Sequence, residues 1–319
     1  MSVDVGAPAR MALDASVEEV VRIADAIVAV TFRTDAEDVP AWEPGAHIDL
    51  ELPGGRIRQY SLCGPRHDRR RVRIAVLREE ASRGGSIAVH ELAAGTPVRI
   101  LAVRNHFPLH EAEEYVFIAG GIGIAPLLPM IEAAETRGVP WTLHYSGRSR
   151  SSMAYASALA EQHRGRVVLY PRLEGSRIDL EAVLSATAID AGLYCCGPAR
   201  LMEQFDATCA TLGREGHLER FAAAADTSAD VRDDEAFEVH LARTGVTITV
   251  EPGQSILQVA EAAGGDVFAS CEEGICGTCE TRVIEGEVDH RDQVLCGQDS
   301  GTMMICVSRA LGRRLVIDA

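Results

Sequence analysis

Lysine is absent from this chain of 319 residues, and all 31 of its basic residues are arginine. This bias by itself decides nothing about chemistry. The charge balance does, because 47 acidic residues bring the net charge at pH 7 to −16. Proteins that bind nucleic acids neutralise phosphates with clustered Lys and Arg. The composition therefore argues against a nucleic-acid partner.

The acidic residues are concentrated near the C-terminus. Residues 223–319 contain 18 acidic and 7 basic side chains, a balance of −11, and the other 222 residues carry only −5. Two interpretations stay open. The acidity keeps the protein in solution, or it forms a docking surface for a partner of opposite charge.

The chain also lacks the marks of export and of membrane insertion. Residues 1–19 have no basic start followed by an apolar core, which a secretory peptide would have. The longest uncharged run, residues 115–131, is shorter than a membrane span and contains three glycines and two prolines. We expect a cytoplasmic, monomeric protein that does not enter a membrane.

The length is sufficient for two or three domains of roughly 100–150 residues each. Composition and pattern predict a domain at 1–108, a second at 109–222, a small and acidic linker at 223–235, and a third domain at 236–319. No repeat of one block occurs in another.

The fold class follows from the spacing of apolar segments. The first block contains regularly spaced short strands, which predict an antiparallel barrel: Ala26–Thr31, His47–Leu52, Gln59–Leu62, Val72–Leu77 and Pro97–Leu101. In the second block strands alternate with helices, which predicts a parallel α/β sheet. Its strands are Tyr115–Ala119, Trp141–Tyr145, Val167–Tyr170 and Leu193–Cys196, and its helices are Ala125–Thr136, Met153–Gln162, Leu180–Ser185 and Ala199–Leu212. The third block begins with a hairpin and a helix at Ser255–Ala263.

Four cysteines near the C-terminus are the most specific signal in the chain. Cys271, Cys276 and Cys279 are separated by four and by two residues, and Cys306 follows downstream. This is the plant-type spacing of [2Fe–2S] ligands. Thiolates are soft donors that suit such a cluster, and the glycines between them allow a tight loop whose N–H groups point at sulfur. The spacing predicts a centre that carries single electrons.

The alternatives to this interpretation are weaker. A disulfide framework is disfavoured because nine cysteines without an export signal indicate a reducing compartment. A structural zinc site usually pairs two short cysteine motifs or adds histidines. For the fourth ligand, Cys306 in an apolar strand-like run is favoured over Cys296, which lies in a loop rich in Gly, Asp and Ser.

Two glycine turns in the second block suit a dinucleotide. Strand Tyr115–Ala119 leads into Gly120-Gly121-Ile122-Gly123-Ile124-Ala125-Pro126, and strand Leu193–Cys196 leads into Gly197-Pro198. A glycine turn between a strand and a helix lets a phosphate approach the backbone. Tight strand–helix packing is the alternative for one such turn, but two turns at the carboxyl edge of one sheet form a ligand crevice. The pair predicts a pyridine dinucleotide site.

The first block carries a candidate flavin site. Arg58 and Tyr60 share one face of a strand, Ser61 follows, and Arg83-Gly84-Gly85-Ser86 forms a candidate anion loop. By themselves these residues also suit an ordinary strand and loop. The chemistry favours a flavin, because NAD(P)H gives up two electrons together, a [2Fe–2S] centre takes one at a time, and a flavin does both.

The order of Arg58-Gln59-Tyr60-Ser61, the two glycine turns and a C-terminal cysteine loop resembles the phthalate dioxygenase reductase family, which includes vanillate O-demethylase reductases. The resemblance covers nearly the whole chain. It implies FMN on a ferredoxin-reductase type barrel, NADH on the middle domain, and a plant-type β-grasp ferredoxin that passes electrons to an oxygenase.

The resemblance also implies roles for individual residues. Arg58, Tyr60 and Ser61 would contact the flavin, and Arg83, Gly84, Gly85 and Ser86 would bind its phosphate. Gly121, Ile122, Gly123 and Pro126 would line the pyrophosphate and nicotinamide side, with Cys196, Gly197 and Pro198 near the nicotinamide. Phe221 would cover the flavin face as a gate; its alternative is a core phenylalanine.

Ribose recognition is less determined by the sequence. After strand Val167–Tyr170 come Pro171 to Glu174, although an aspartate suited to a ribose hydroxyl is expected at this position. Arg148 and Arg150 could favour the 2′-phosphate of NADPH, although the resemblance favours NADH.

The predicted function is an NADH-dependent reductase of an oxygenase, most simply a Rieske aromatic oxygenase or O-demethylase. The cofactors supply the bond chemistry, so no side-chain nucleophile or general acid is required. A reductase serving a cytochrome P450 and a non-enzymatic redox sensor are the alternatives.

Overall fold

The structure is a computed structural model of the chain, and it describes residues 12–35, 38–80, 84–221, 234–269, 271–295 and 301–319. These residues divide between two compact units, with the boundary after Arg220. The predicted boundary at residue 108 and the linker at 223–235 stay predictions, and residues 223–233 lie outside the described part. No described helix is long and apolar enough to cross a membrane.

The N-terminal part of the first unit is a closed antiparallel barrel. Its strands are β1 (Leu13–Ala24), β2 (Ile27–Thr34), β3 (His47–Leu52), β4 (Arg56–Ser61), β5 (Arg71–Leu77) and β6 (Pro97–Arg104), with helix α1 (Gly85–His90) between β5 and β6. The strand order is β4-β3-β6-β1-β2-β5. A bridge between Leu62 and Ile74 connects the two ends of this order and closes the sheet. Inward side chains such as Phe32, Ile48 and Ile74 fill the core.

Strand β1 was not predicted. It is the longest strand of the barrel, and it has two register shifts against β2, one between Val17 and Glu19 and one between Arg22 and Ala24. Each shift moves the following side chains to the other face, so the apolar residues do not keep a period of two. For this reason the alternation of apolar residues did not indicate a strand in this segment.

The rest of the first unit is a parallel α/β sheet. Its elements are β7 (Tyr115–Gly120), α2 (Ile124–Arg137), β8 (Trp141–Gly147), α3 (Ala156–Gln162), β9 (Val167–Pro171), α4 (Leu180–Ser185), β10 (Gly192–Cys196), α5 (Ala199–Thr211) and β11 (Gly216–Glu219). The order is β11-β10-β7-β8-β9, with every pair parallel. Strand β7 is buried along its whole length, as expected for a central parallel strand covered on both faces. The order reverses between β7 and β10, which puts a ligand crevice at their carboxyl ends.

The second unit is an α+β fold around a mixed sheet. Its elements are β12 (Phe237–Leu241), β13 (Val246–Val250), α6 (Ile256–Ala262), β14 (Glu280–Glu285), β15 (Val288–Asp289), β16 (Thr302–Met304), β17 (Arg309–Ala310) and β18 (Arg314–Ile317). Strands β12 and β13 form the predicted hairpin, and β18 pairs in parallel with β12. Ser255 and Gln258 form a capping box that begins α6. The fold class predicted from the sequence is confirmed.

Candidate cofactor sites

The two predicted glycine turns touch each other at the reversal of strand order. A Cβ atom on Gly123 would lie 2.2 Å from the carbonyl oxygen of Cys196, and one on Gly197 would lie 2.9 Å from the Cα atom of Gly120. Only glycine permits this approach without moving the backbone. The Tyr145 hydroxyl on β8 donates a hydrogen bond of 3.0 Å to the Gly121 carbonyl and holds the turn.

The other residues predicted for the nucleotide side lie around this contact. Gly121 and Ile122 belong to a short 3-10 turn, Pro126 lies in the first turn of α2, and Pro198 precedes the first residue of α5. Cys196 is fully buried at the end of β10. Burial raises the pKa of the Cys196 thiol well above its ordinary value, with the Glu219 carboxylate adding to the effect. The thiol is therefore neutral and is no nucleophile.

Glu219, at the end of β11, is a site residue that the sequence interpretation missed. The Ser61 hydroxyl donates to its Oε2 at 2.9 Å, which joins barrel strand β4 to the parallel sheet. Burial raises the pKa of Glu219 to about 8, and the Ser61 hydrogen bond opposes that rise. The only available signal was its position two residues before Phe221, since β11 is short and its apolar pattern weak.

The barrel face predicted to contact a flavin is present. Tyr60 lies near the guanidinium groups of Arg58 and Arg56, and burial raises its phenol pKa despite those positive charges. All three residues belong to β4 and stand on one face, as the strand period requires. Arg56 is a second cation at this face that the sequence interpretation did not select.

The loop after β5 lies beside these arginines. A Cβ atom on Gly85 would be 2.7 Å from Arg58 Cγ, and Arg56 Nη1 donates to the Gly84 carbonyl at 3.5 Å. Gly84 has φ +80°, a conformation that glycine adopts without strain. The Ser86 hydroxyl accepts from the Glu79 N–H at 3.1 Å. Arg83, the fourth predicted loop residue, lies outside the described residues.

The residues after β8 and β9 come together at the same carboxyl edge. Arg150 Nε donates to Glu174 Oε2 at 3.1 Å, and the Leu173 N–H donates to the Arg148 carbonyl at 3.0 Å. Both side chains of the Arg150–Glu174 pair are substantially exposed. A carboxylate thus occupies the edge where the sequence interpretation had looked for an aspartate.

Phe221 is the first residue of the second unit, and its side chain is 47% exposed. It is therefore not a core phenylalanine. Its predicted role as a flavin gate stays a prediction.

The four predicted ligand cysteines converge in the second unit. Each is at most 7% exposed. The Cys271 thiol shares hydrogen bonds with those of Cys276 and Cys306, and Cys306 also contacts Cys279. Among the described residues no three His, Cys, Asp or Glu side chains surround a single-ion position. Soft thiolates are the donor set that iron–sulfur clusters take.

The backbone of the loop is shaped around the sulfur atoms. Glu272, Gly274 and Gly277 all have positive φ, and the Glu273 N–H donates to Cys271 Sγ at 3.3 Å. A non-glycine residue at positive φ is uncommon and is tolerated where the surroundings require it. The donor set, its burial and this backbone fit a [2Fe–2S] cluster. Cys296, the rejected fourth ligand, lies outside the described residues.

Known proteins resemble this chain over most of its length. Residues 239–311 match the family model of the 2Fe-2S iron-sulfur cluster binding domain. The chain is 43% identical over 303 residues to the phenoxybenzoate dioxygenase subunit beta of Ectopseudomonas oleovorans, covering 92% of this chain and 93% of that protein. It is 41% identical over 308 residues to the vanillate O-demethylase oxidoreductase of Pseudomonas sp. (strain HR199 / DSM 7063), covering 93% and 96%.

Two solved structures are similar to the chain. An intact type IV self-sufficient cytochrome P450 monooxygenase has a TM-score of 0.89 and 41% identity, covering 97% of this chain and 41% of the P450 chain. Phthalate dioxygenase reductase, described as a modular structure for electron transfer from pyridine nucleotides to [2Fe-2S], has a TM-score of 0.70 and 32% identity, covering 97% and 98%.

A closed barrel, a parallel sheet with two touching glycine turns and a four-cysteine unit define a class of iron–sulfur oxidoreductases. The 43% identity to the phenoxybenzoate dioxygenase subunit beta, which extends over 92% of this chain, is more specific. The chain belongs to the phthalate dioxygenase reductase family, as its sequence motifs predicted, and its C-terminal domain is a [2Fe–2S] ferredoxin.

Proposed function

We propose that this chain is an NADH-dependent, FMN-containing reductase that delivers electrons through its [2Fe–2S] cluster to a terminal oxygenase. One observation carries the proposal: four buried thiols converge in the same chain that brings two glycine turns into contact and carries a cationic barrel face. A bound flavin supplies the conversion between hydride transfer and single-electron transfer.

The barrel residues would hold and orient the FMN. Arg56 and Arg58 lie next to Gly84 and Gly85 and would neutralise its phosphate through charge-assisted hydrogen bonds. Tyr60 packs against the barrel core and would offer an apolar ring face to the flavin. Arg83 and Ser86 are proposed as further phosphate partners.

The nucleotide would lie across the two glycine turns. The residues that would line the pyrophosphate are Gly121, Ile122, Gly123 and Pro126. Its close approach to the backbone requires that the two glycines have no side chain. At the other turn the neutral Cys196 thiol, with Gly197 and Pro198, would lie next to the nicotinamide. The Ser61–Glu219 hydrogen bond would fix this end of the site, and Phe221 would cover the flavin until the nicotinamide displaces it.

The charges at the end of β9 support NADH over NADPH. Glu174 occupies the strand end where a carboxylate can accept a hydrogen bond from a ribose 2′-hydroxyl. The same carboxylate would repel a 2′-phosphate, and its ion pair with Arg150 engages the cation that would otherwise attract one. Arg148 follows β8 and is proposed as a contact to the nucleotide.

A terminal oxygenase of Rieske type is the proposed acceptor, because the two relatives described above are named for oxygenase or demethylase systems. The similarity to a self-sufficient P450 keeps a P450 acceptor as the second candidate. Docking by the acidic surface of residues 223–319 predicts that added salt slows delivery to the oxygenase more than ferricyanide reduction. Equal salt sensitivity of the two reactions would mean that the acidic residues only keep the protein in solution.

We propose that the protein acts in the cytoplasm, because its reducing conditions keep the ligand thiols from forming disulfides. We also propose that it is a monomer. The identity of the flavin tests the proposal most simply. Acid release and chromatography of the cofactor from the purified protein should give FMN, and NADH should reduce cytochrome c through the protein rapidly. Release of FAD would contradict the cofactor assignment. Failure to reduce any acceptor would favour the redox-sensor alternative.

A further inference from the structure

A buried carboxylate lies beside the cysteine loop. Asp292 is 1% exposed, and it belongs to the segment between β15 and the strand that precedes Cys306. None of the roles assigned above uses it. A buried carboxylate in this position requires a reason, because carboxylates are almost never fully buried without partners.

The Asp292 carboxylate is a hub of hydrogen bonds. Its Oδ1 accepts from the Val294 N–H at 3.0 Å and also from the Leu295 N–H. Its Oδ2 accepts from the Ser308 hydroxyl at 3.3 Å and faces His290 Nδ1 at 3.4 Å. Donors therefore surround both oxygens of the carboxylate.

These bonds connect the two segments that carry the ligand cysteines. Ser308 lies two residues after Cys306, and the adjacent Gln293 N–H donates to the Gly274 carbonyl at 2.9 Å in the loop of the first three cysteines. Gly274 itself has no room for a side chain, since a Cβ atom would lie 3.0 Å from Asp292 Cα and 2.6 Å from Val307 Cγ2. Asp292 is thus clamped between the cysteine loop and the strand segment of the last ligand.

We propose that Asp292 is a positioning residue of the iron–sulfur site, which holds the two ligand-bearing segments together and lowers the reduction potential of the cluster. Reduction adds one negative charge to the cluster. A fixed carboxylate in a water-poor environment opposes that charge more strongly than an exposed one does. The inference rests on the [2Fe–2S] assignment of the cysteine loop.

The test compares three full-length holoproteins with the wild type. Asp292→Asn removes the charge with little change of shape, Ser308→Ala removes one hydrogen bond to the hub, and Glu287→Gln removes an exposed carboxylate of the same unit. Two quantities are measured on each: the midpoint potential, from a redox titration followed by EPR of the reduced cluster, and the half-life of the cluster absorbance in excess chelator.

We expect Asp292→Asn to raise the midpoint potential and to shorten the cluster half-life severalfold. Ser308→Ala should also shorten the half-life, and Glu287→Gln should match the wild type in both measurements. A merely structural role of Asp292 would lower thermal stability and leave the potential unchanged, which would overturn the proposal.

If Asp292→Asn does not retain the cluster, the cluster half-life in Ser308→Ala tests the proposal instead. A wild-type half-life in that variant contradicts the clamp, and a shortened one supports it. A wild-type protein without any cluster signal would instead contradict the proposed function, so the two failures are distinguishable.

Discussion

The Ser61 hydroxyl and the Glu219 carboxylate are joined by a hydrogen bond of 2.9 Å across 158 residues of sequence. Ser61 ends barrel strand β4, and Glu219 ends the edge strand β11 of the parallel sheet. The bond therefore connects the proposed flavin face with the proposed nicotinamide end. It also places a titratable group where burial disfavours its charge.

The raised pKa of Glu219, about 8 against an ordinary 4.5, predicts a pH-dependent stability. Between these two values the folded protein binds more protons than the unfolded chain, so the free energy of unfolding falls as pH rises. Glu219→Gln cannot titrate and should escape this loss. Between pH 5 and pH 8 its free energy of unfolding should rise by roughly 1–3 kcal/mol relative to that of the wild type. Residual solvent contact of Glu219 keeps this difference below the value that the whole pKa shift would give. Denaturant unfolding of the holoproteins checks this, and parallel pH curves would contradict it.

The contact between the two glycine turns predicts a strong effect of Gly123→Ala. Its new methyl group would meet the Cys196 carbonyl oxygen at 2.2 Å, and overpacking of this kind typically costs about 1–3 kcal/mol. The turns should separate, which lowers NADH-driven ferricyanide reduction while the flavin content stays normal. Gly312→Ala is the matched control, because no atom lies within 4 Å of its new methyl group. Wild-type KM for NADH in Gly123→Ala would refute the nucleotide site.

The Arg150–Glu174 pair predicts a change in nucleotide preference. Glu174→Gln removes the charge that repels a 2′-phosphate and releases Arg150. The ratio of kcat/KM for NADPH to that for NADH should rise roughly 1.5- to fivefold, since one exposed charge interaction contributes about 0.2–1 kcal/mol. Adding Arg150→Ala should abolish the gain. Glu181→Gln, at an exposed position of α4, should leave the ratio unchanged. A Glu174→Gln ratio equal to the wild type would exclude the pair from nucleotide recognition.

The barrel cations predict weaker flavin retention in Arg58→Ala. Arg58 lies against Gly85 of the proposed phosphate loop, and a hydrogen bond to a charged group contributes about 1.5–3 kcal/mol. Flavin affinity should therefore fall roughly tenfold or more, as measured by flavin fluorescence on dilution. Arg99→Ala removes another barrel arginine, which pairs with Glu51 at 2.9 Å, and should retain flavin normally. Equal retention in both variants would contradict the site.

Much of this site could be predicted from the sequence, because its strongest signals are local. The cysteine spacing, the glycine turns and the Arg58–Ser61 strand each lie within about ten residues, and neighbouring residues on a strand or turn keep fixed geometry. What was missed depends on distant contacts. Glu219 matters only because β11 brings it to Ser61, and Asp292 matters only because Gly274 and Ser308 close around it. No local pattern distinguishes either carboxylate from the exposed ones.

The relay from NADH to the cluster is the central claim, and an anaerobic NADH titration of wild type and Cys306→Ala followed by visible spectra and EPR tests it most directly. Cys306 is 7% exposed and contacts two other ligand thiols, so its loss should remove the [2Fe–2S] absorbance while NADH still bleaches the flavin. Cys296→Ala should behave as the wild type, in which NADH bleaches the flavin and produces the EPR signal of a reduced cluster. A wild-type flavin that is reduced without any cluster signal, or a cluster that survives loss of Cys306, would contradict the account.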